Sequence, residues 1–216
     1  MSEMMRWTLL ACLLFTPIFQ ANSQANPATR DIMASLYIAQ YLKGTLTELP
    51  VEFVRGELQL RSATLFQLDV GYAFPRFSVP IPFCEGCALR GNRLELHAAV
   101  GQYAGRQTNA EIGAYAMLRT GQIGDSNGLQ ANIAVGWGIS HAFGTTGMEF
   151  RRNSVQGVDT YRTQLQVPIE IEWWHPALGQ WSVLIPRIHH RSGAWGWLAP
   201  YGSGSNFIGA GLRASW

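Results

Sequence analysis

Apolar side chains recur at every second position in seven segments of this chain, and this alternation constrains the fold more than any other feature. It is clearest in YRTQLQVPIEIEWW, where Leu165, Val167 and Ile169 alternate with Gln164 and Gln166. Side chains two residues apart on a strand share a face, so each segment predicts a β-strand with one apolar face. The other segments are TLFQLDVGYAF, LELHAAVGQ, EIGAYAMLRT, LQANIAVGWGIS, NFIGAGLRASW and the stretch from Ser182 to His190.

A less regular strand from Ile32 to Tyr41 brings the number of strands to eight. An even number of strands of about ten residues, apolar outside and polar inside, is typical of outer-membrane barrels. We therefore predict an all-β fold, an eight-stranded antiparallel transmembrane β-barrel formed by residues 26–216. The segment 44–61, which contains VEFVRGELQLR, leaves room for an additional pair of strands.

A secreted β-sandwich or a lipocalin-like barrel would also alternate, and these are the soluble alternatives. Only 14% of the residues are charged, aromatic residues lie toward strand ends, and an alternating strand ends on Trp216. These three features favour the membrane barrel. The net charge of +2 without a basic block argues against nucleic acid as a partner.

The first 25 residues have the features of a secretory signal peptide. Arg6 precedes the apolar run WTLLACLLFTPIF, and small residues follow at Ser23 and Ala25. The run is too short for a spanning helix, so we expect cleavage after Ala25. Together with the barrel pattern, export predicts a Gram-negative outer-membrane protein that the barrel-assembly machinery inserts.

Cys84 and Cys87, in FCEGCAL, remain in the mature chain. Export permits a disulfide, and two cysteines alone cannot complete a four-ligand zinc site. We expect a local disulfide in the turn between the second and third strands, without a catalytic role. No set of His, Cys, Asp and Glu residues has metal-ligand spacing, so neither a metal nor another cofactor is implied.

The stretch PRIHHRSGAWGW lies at the end of the predicted seventh strand. If both chain ends of the barrel are periplasmic, this strand rises outward and ends at the outer rim. His190 and Ser192 share the even parity of Leu184, Pro186 and Ile188, which predicts that all five side chains face the lipid. A histidine two residues from a serine on one face suits a base and a nucleophile.

The residues PRIHHRSGAWGW…GSNFIGAGLRASW resemble the C-terminal part of the lipid A 3-O-deacylase or acyloxyacyl hydrolase-like family of outer-membrane barrels. The upstream LELHAAVGQYAGRQTNAEIGAYAMLR is similar to that family's middle strands. The resemblance covers about two-thirds of the mature chain and is specific around His190-Arg191-Ser192. It implies an eight-stranded barrel in which His190 is the base and Ser192 the nucleophile. The implied substrate is the ester-linked acyl chain at the 3-position of lipid A.

The chain departs from the family at two positions. Family members have an asparagine after the serine, where this chain has Gly193, and a glutamate about a dozen residues later, where this chain has none. Asn206 has the right parity and is expected about opposite His190 if the last two strands pair tightly. An asparagine can hold an imidazole tautomer, although it does not stabilise the imidazolium as a carboxylate would. Asp159 is the nearby acid of lipid-facing parity.

Together with the shared parity of these residues, the resemblance implies an esterase acting on lipid A of lipopolysaccharide, with Ser192, His190 and Asn206 as its catalytic residues. The alternative is a non-enzymatic small barrel that is structural, adhesin-like or lipopolysaccharide-binding. Charged residues of inward parity are expected to form an ion-pair network in the lumen, and His189 to point into the barrel mouth. Arg187 and Arg191 are interpreted as exposed charge near the exterior, and His141 as an interfacial residue. The inward set is Glu95, Glu111, Arg119, Glu170 and Glu172.

Overall fold

Eight long antiparallel strands close into a barrel, as the alternation predicts. The computed structural model describes residues 30–80, 88–125, 127–144, 147, 161–200 and 203–216. Within these ranges two short strands, β3 and β6, extend neighbouring hairpins outside the closed ring by pairing with β4 and β7. The strands are β1 Ile32–Lys43, β2 Gln59–Ala73, β3 Phe77–Pro80, β4 Ala88–Gly105, β5 Ala110–Arg119, β6 Ile123–Gly124, β7 Gln130–Phe143, β8 Thr163–Trp174, β9 Trp181–Ser192 and β10 Gly204–Ser215.

The first and last strands close the ring. β1 pairs with β10 from Met33 opposite Ser215 to Leu42 opposite Asn206. Beyond the strand pairing, the Trp216 N–H donates to the Ile32 carbonyl at 3.0 Å. We call the end of the barrel where β1 begins and β10 ends the terminal end, and the opposite end the loop end.

The outer wall of the barrel is apolar. Large aliphatic and aromatic side chains stand exposed around the ring, and a continuous band of this kind is expected where a barrel contacts lipid. Among the described residues, no helix is long and apolar enough to cross a membrane. The band includes Leu36, Ile38, Phe66, Leu68, Val70, Leu96, Val100, Ile112, Ile133, Val135, Trp137 and Ile139.

The lumen is filled by buried, paired charges, which confirms the inward parity predicted for the glutamates and Arg119. Arg119 pairs with Glu95 at 2.7 Å and also with Glu170, while Arg213 reaches Glu170 at 2.6 Å. Arg187 pairs with Asp69. Because an unpaired buried charge is costly, these side chains stabilise one another only as a complete network.

Two of the predictions about strand faces are wrong. Leu184 is fully buried and points into the lumen, because β9 contains a bulge near Ile185 and Pro186. A bulge inserts one unpaired residue and reverses the parity on its far side. Arg187 and Arg191 are also buried inside the barrel, where they belong to the ion-pair network and not to the exposed surface.

The segment 44–61 does not form an extra pair of strands. It contains a short helix, α1, Leu49–Arg55, and the first residues of β2, which begins at Gln59. Glu48 precedes the helix, and its carbonyl accepts hydrogen bonds from the N–H groups of Val51 and Glu52 at 3.1 and 3.0 Å. The Leu49 side chain is buried, which anchors the helix at the loop end of the barrel.

Candidate functional site

His190, Ser192 and Asn206 lie together at the loop end, on the outer face of the last hairpin. The register places Asn206 directly opposite His190, and Gly204 opposite Ser192. On the loop-end side of the bulge, His190 and Ser192 are half-buried and point outward, while His189 and Arg191, which alternate with them, point inward. The three sequence-predicted residues therefore share one face, as expected. With Thr45, Leu46 and Trp195 they line a cavity of about 130 Å³.

A hydrogen bond joins His190 Nδ1 to Asn206 Oδ1 at 2.5 Å. The Asn206 Nδ2 atom donates to the Gly44 carbonyl at 2.7 Å, which requires the amide oxygen to face the histidine. Since that oxygen can only accept, His190 Nδ1 carries the proton and Nε2 is the basic nitrogen. Asn206 is 2% exposed, so the amide side of this hydrogen bond is shielded from competing water.

Ser192 ends β9 and begins the loop to β10. Its Oγ accepts a hydrogen bond from the Ala194 N–H at 3.2 Å. The next residue, Gly193, accepts from the N–H groups of Gly196, Leu198 and Ala199 at 3.2, 3.0 and 3.1 Å through its carbonyl. The loop is therefore wrapped tightly around the residue that follows the serine.

This wrapping accounts for the glycine where the resemblance leads us to expect asparagine. A Cβ atom on Gly193 would lie 2.2 Å from the Ala199 carbonyl oxygen and 2.6 Å from that of Pro200. Both contacts are shorter than real Cβ contacts, and both involve backbone atoms. A side-chain oxyanion donor at position 193 is therefore incompatible with the loop as it folds here.

The same loop holds two tryptophans at the rim. Ala194 and Trp195 adopt left-handed backbone with φ of 52° and 55°, which is costly for residues other than glycine. Trp195 and Trp197 are 84% and 85% exposed. The loop therefore holds two indoles outward beside the cavity, the position of an aromatic girdle at a membrane interface.

Sequence reasoning missed the participation of the loop between β1 and β2. The bond from Asn206 to the Gly44 carbonyl spans 162 residues of sequence. Gly44 has a φ of +126°, which favours glycine, and a glycine directly after a strand is the one local signal of a special backbone conformation there. The bond ties the first loop of the barrel to its last hairpin.

Other predicted residues lie apart from the three. His189 points into the lumen, as expected, with its Nε2 atom 3.1 Å from Glu111. His141 lies on the outer face of β7 and hydrogen-bonds the Thr163 hydroxyl at 2.8 Å. Asp159, the signal peptide, and the Cys84 and Cys87 pair lie outside the described residues. Within the described part of the chain, no group of three or more His, Cys, Asp and Glu side chains could hold a metal ion.

Comparison with known proteins supports the fold. No protein-family model matches the chain, and no curated protein matches it. The chain is similar to the crystal structure of the outer membrane enzyme PagL, with 13% sequence identity and a TM-score of 0.53 over 86% of this chain and 99% of that chain. It is also similar to the N-terminal β-barrel domain of Pseudomonas aeruginosa OprF, with 9% identity and a TM-score of 0.43 over 87% and 98%. The likeness to PagL shows that this chain has the fold of an outer-membrane β-barrel.

Proposed function

We propose that this protein is an outer-membrane esterase that removes an ester-linked acyl chain from lipid A of lipopolysaccharide. The observation that carries the proposal is the hydrogen bond between His190 and Asn206, on the same outward face and in the same cavity as Ser192. The barrel fold, and its likeness to a known outer membrane enzyme, support a site that works at the lipid surface. The first 25 residues would direct export, and the barrel-assembly machinery would insert the mature chain.

In this mechanism Ser192 Oγ attacks the ester carbonyl while His190 Nε2 takes the hydroxyl proton. The tetrahedral intermediate collapses, and His190 returns the proton to the sugar oxygen that leaves. A water molecule then attacks the acyl-serine, with His190 again as the base. The bond between the acyl carbon and Ser192 Oγ breaks, His190 returns the proton to Oγ, and the fatty acid leaves. Asn206 keeps Nδ1 protonated throughout, so that Nε2 remains the basic nitrogen. The Ala194 N–H, which already reaches Ser192 Oγ, is the backbone donor we assign to the developing oxyanion.

The test is the mass of lipid A from a Gram-negative host that expresses the protein. The native chain should remove one hydroxyacyl chain, and Ser192→Ala and His190→Ala should abolish the loss, because removing a triad member costs orders of magnitude in rate. Ser62→Ala is the matched control, since Ser62 is an exposed serine in β2 at the same end of the barrel. Unchanged lipid A in the presence of well-folded native barrel would contradict the proposal.

A non-enzymatic barrel is the second candidate function. The observation that favours it is the bond from the Ala194 N–H to Ser192 Oγ, because a serine that only shapes a turn makes the same contact. This candidate predicts that lipid A has the same mass in hosts that express the native chain, in hosts that express Ser192→Ala and in hosts without the protein. Ser192→Ala would then change only the conformation of the loop. The same mass measurement therefore separates the two functions.

A further inference from the structure

The last hairpin has no acid to support the imidazolium that forms during the proposed reaction. No Asp or Glu follows Glu172 in the sequence, so the region of β9 and β10 that carries His190, Ser192 and Asn206 contains none. Asn206 supplies an amide dipole where a triad has a full negative charge. The loop between β1 and β2 brings a carboxylate into connection with the same histidine.

Three hydrogen bonds link the Glu48 carboxylate to His190. Glu48 Oε2 accepts from the Thr45 N–H at 2.8 Å. The carbonyl of that same peptide group, on Gly44, accepts from Asn206 Nδ2 at 2.7 Å. Asn206 Oδ1 in turn accepts from His190 Nδ1 at 2.5 Å. Two amide groups therefore connect the carboxylate to the imidazole without a break.

The backbone around Glu48 fixes the far end of this connection. The Glu48 carbonyl accepts from the N–H groups of Val51 and Glu52 in the first turn of α1, which makes Glu48 the residue that caps the helix. Its N–H donates to the Thr45 carbonyl at 3.2 Å, so the residue is bonded to Thr45 by both backbone and side chain. Thr45 and Glu48 thus close a compact turn that holds the Gly44–Thr45 peptide in one orientation.

The direction of polarisation is the same at every bond. A carboxylate at an amide N–H draws the hydrogen toward itself and makes the carbonyl oxygen of that amide a stronger acceptor. The effect passes from the Gly44–Thr45 peptide to the Asn206 amide, and from there to the Nδ1–H of His190. Each step favours the protonated imidazolium over the neutral ring.

We propose that Glu48 is the acid of this site and acts on His190 through the Gly44–Thr45 peptide and Asn206. The inference rests on the proposed esterase function. Glu48 is a positioning residue, because it touches neither substrate nor the reacting atoms. It replaces, from the first loop, the carboxylate that the last strand lacks.

Glu48→Gln tests the charge and preserves the shape, because the glutamine oxygen can still accept from Thr45. Hydrolysis of a p-nitrophenyl ester by detergent-solubilised protein should show kcat lowered roughly three- to tenfold, as expected when one charge-assisted bond in a cooperative chain becomes neutral, with KM unchanged. Glu57→Gln is the matched control, since it removes the same charge from an exposed side chain just after α1 and breaks none of the three bonds. An equal loss in Glu57→Gln, or an unchanged kcat in Glu48→Gln, would overturn the relay.

A double-mutant cycle shows whether Glu48 acts through Asn206. In an Asn206→Ala background the connection is already broken, so adding Glu48→Gln should leave kcat unchanged. If Glu48→Gln lowers kcat by the same factor in both backgrounds, the carboxylate acts by another route and the inference is wrong.

Failure of the esterase proposal gives a different result. If the native chain shows no hydrolysis that Ser192→Ala abolishes, the proposed function is wrong, and the relay is then tested without activity. Nitrogen NMR of isotope-labelled histidine, with His190→Gln to assign the signal, reports which ring nitrogen carries the proton. Glu48→Ala should reduce the Nδ1-protonated form relative to Glu57→Ala, and equal spectra would overturn the relay.

Discussion

Replacing Gly193 by asparagine tests how the site departs from the family it resembles. The resemblance alone leads to the expectation that Gly193→Asn restores an oxyanion donor and raises activity. The structure leads to the opposite expectation, because the first atom of any side chain there would lie 2.2 Å from the Ala199 carbonyl oxygen. We therefore expect Gly193→Asn to lower hydrolysis.

The magnitude follows from the two ways in which the loop can respond. If the loop compresses, overpacking costs about 1–3 kcal/mol. If it opens, it gives up the three hydrogen bonds to the Gly193 carbonyl, at about 1 kcal/mol each. Either response costs about 1–3 kcal/mol, which corresponds to a roughly fivefold to 150-fold fall in the equilibrium constant between the native and the displaced loop, and kcat/KM should fall by up to that factor.

The assay measures ester hydrolysis by the detergent-solubilised barrel. Each variant is first shown to be folded by its mobility in gels run without heating the sample. Gly193→Ala is the companion variant, since it adds the same Cβ atom without an amide and should lose about as much activity. The reasoning is refuted if Gly193→Asn hydrolyses the ester faster than the native chain. It is also refuted if Gly193→Ala is as active as the native chain.

Three further predictions concern other parts of the molecule. Asn206→Asp should retain more activity than Asn206→Ala, because a carboxylate stabilises the imidazolium. It should also lower the melting temperature of the barrel, because the hydrogen bond to the Gly44 carbonyl is lost, and a melting temperature equal to that of the native chain would contradict this. Glu170→Gln should lower the free energy of unfolding in urea and lipid by about 3–5 kcal/mol, because buried arginines lose their partner, whereas Glu57→Gln in the exposed loop should change it by less than about 0.5 kcal/mol. Replacing Cys84 and Cys87 by serine should leave hydrolysis intact and remove a disulfide detectable by thiol titration after reduction; lost activity in a folded barrel would contradict this.

The alternation of apolar residues at every second position was sufficient to predict the barrel and to predict that the three site residues lie close together. Within an unbroken pair of strands, parity decides the face and the turn decides the register. Because no bulge separates His190 from Ser192, or Asn206 from the start of β10, the expected pairing of Asn206 with His190 is what the structure contains. Their catalytic roles remain predictions.

The same rule failed where the chain inserts a residue. The bulge near Pro186 reverses the face of Leu184, and no alternation pattern records such an insertion. Arg187 has the parity of the lumen, but its place in a charged stretch near the rim suggested exposed charge. The connection of Gly44 to Asn206 could not be predicted, since only closure of the barrel brings the two together.

Because β1 and β10 close the ring, the barrel can close only after β10 has been made. The Arg30 guanidinium reaches the Ser215 carbonyl across 185 residues of chain, so the contacts of this seam form only after β10 has been synthesised. The length-dependent entropy of closing such a loop is roughly 5 kcal/mol, which the seam repays only when its hydrogen bonds form together. Until then β1 and β9 are open edges with apolar outer faces, able to pair with other chains. The chain therefore exposes both edges from the time β9 is made until β10 is paired.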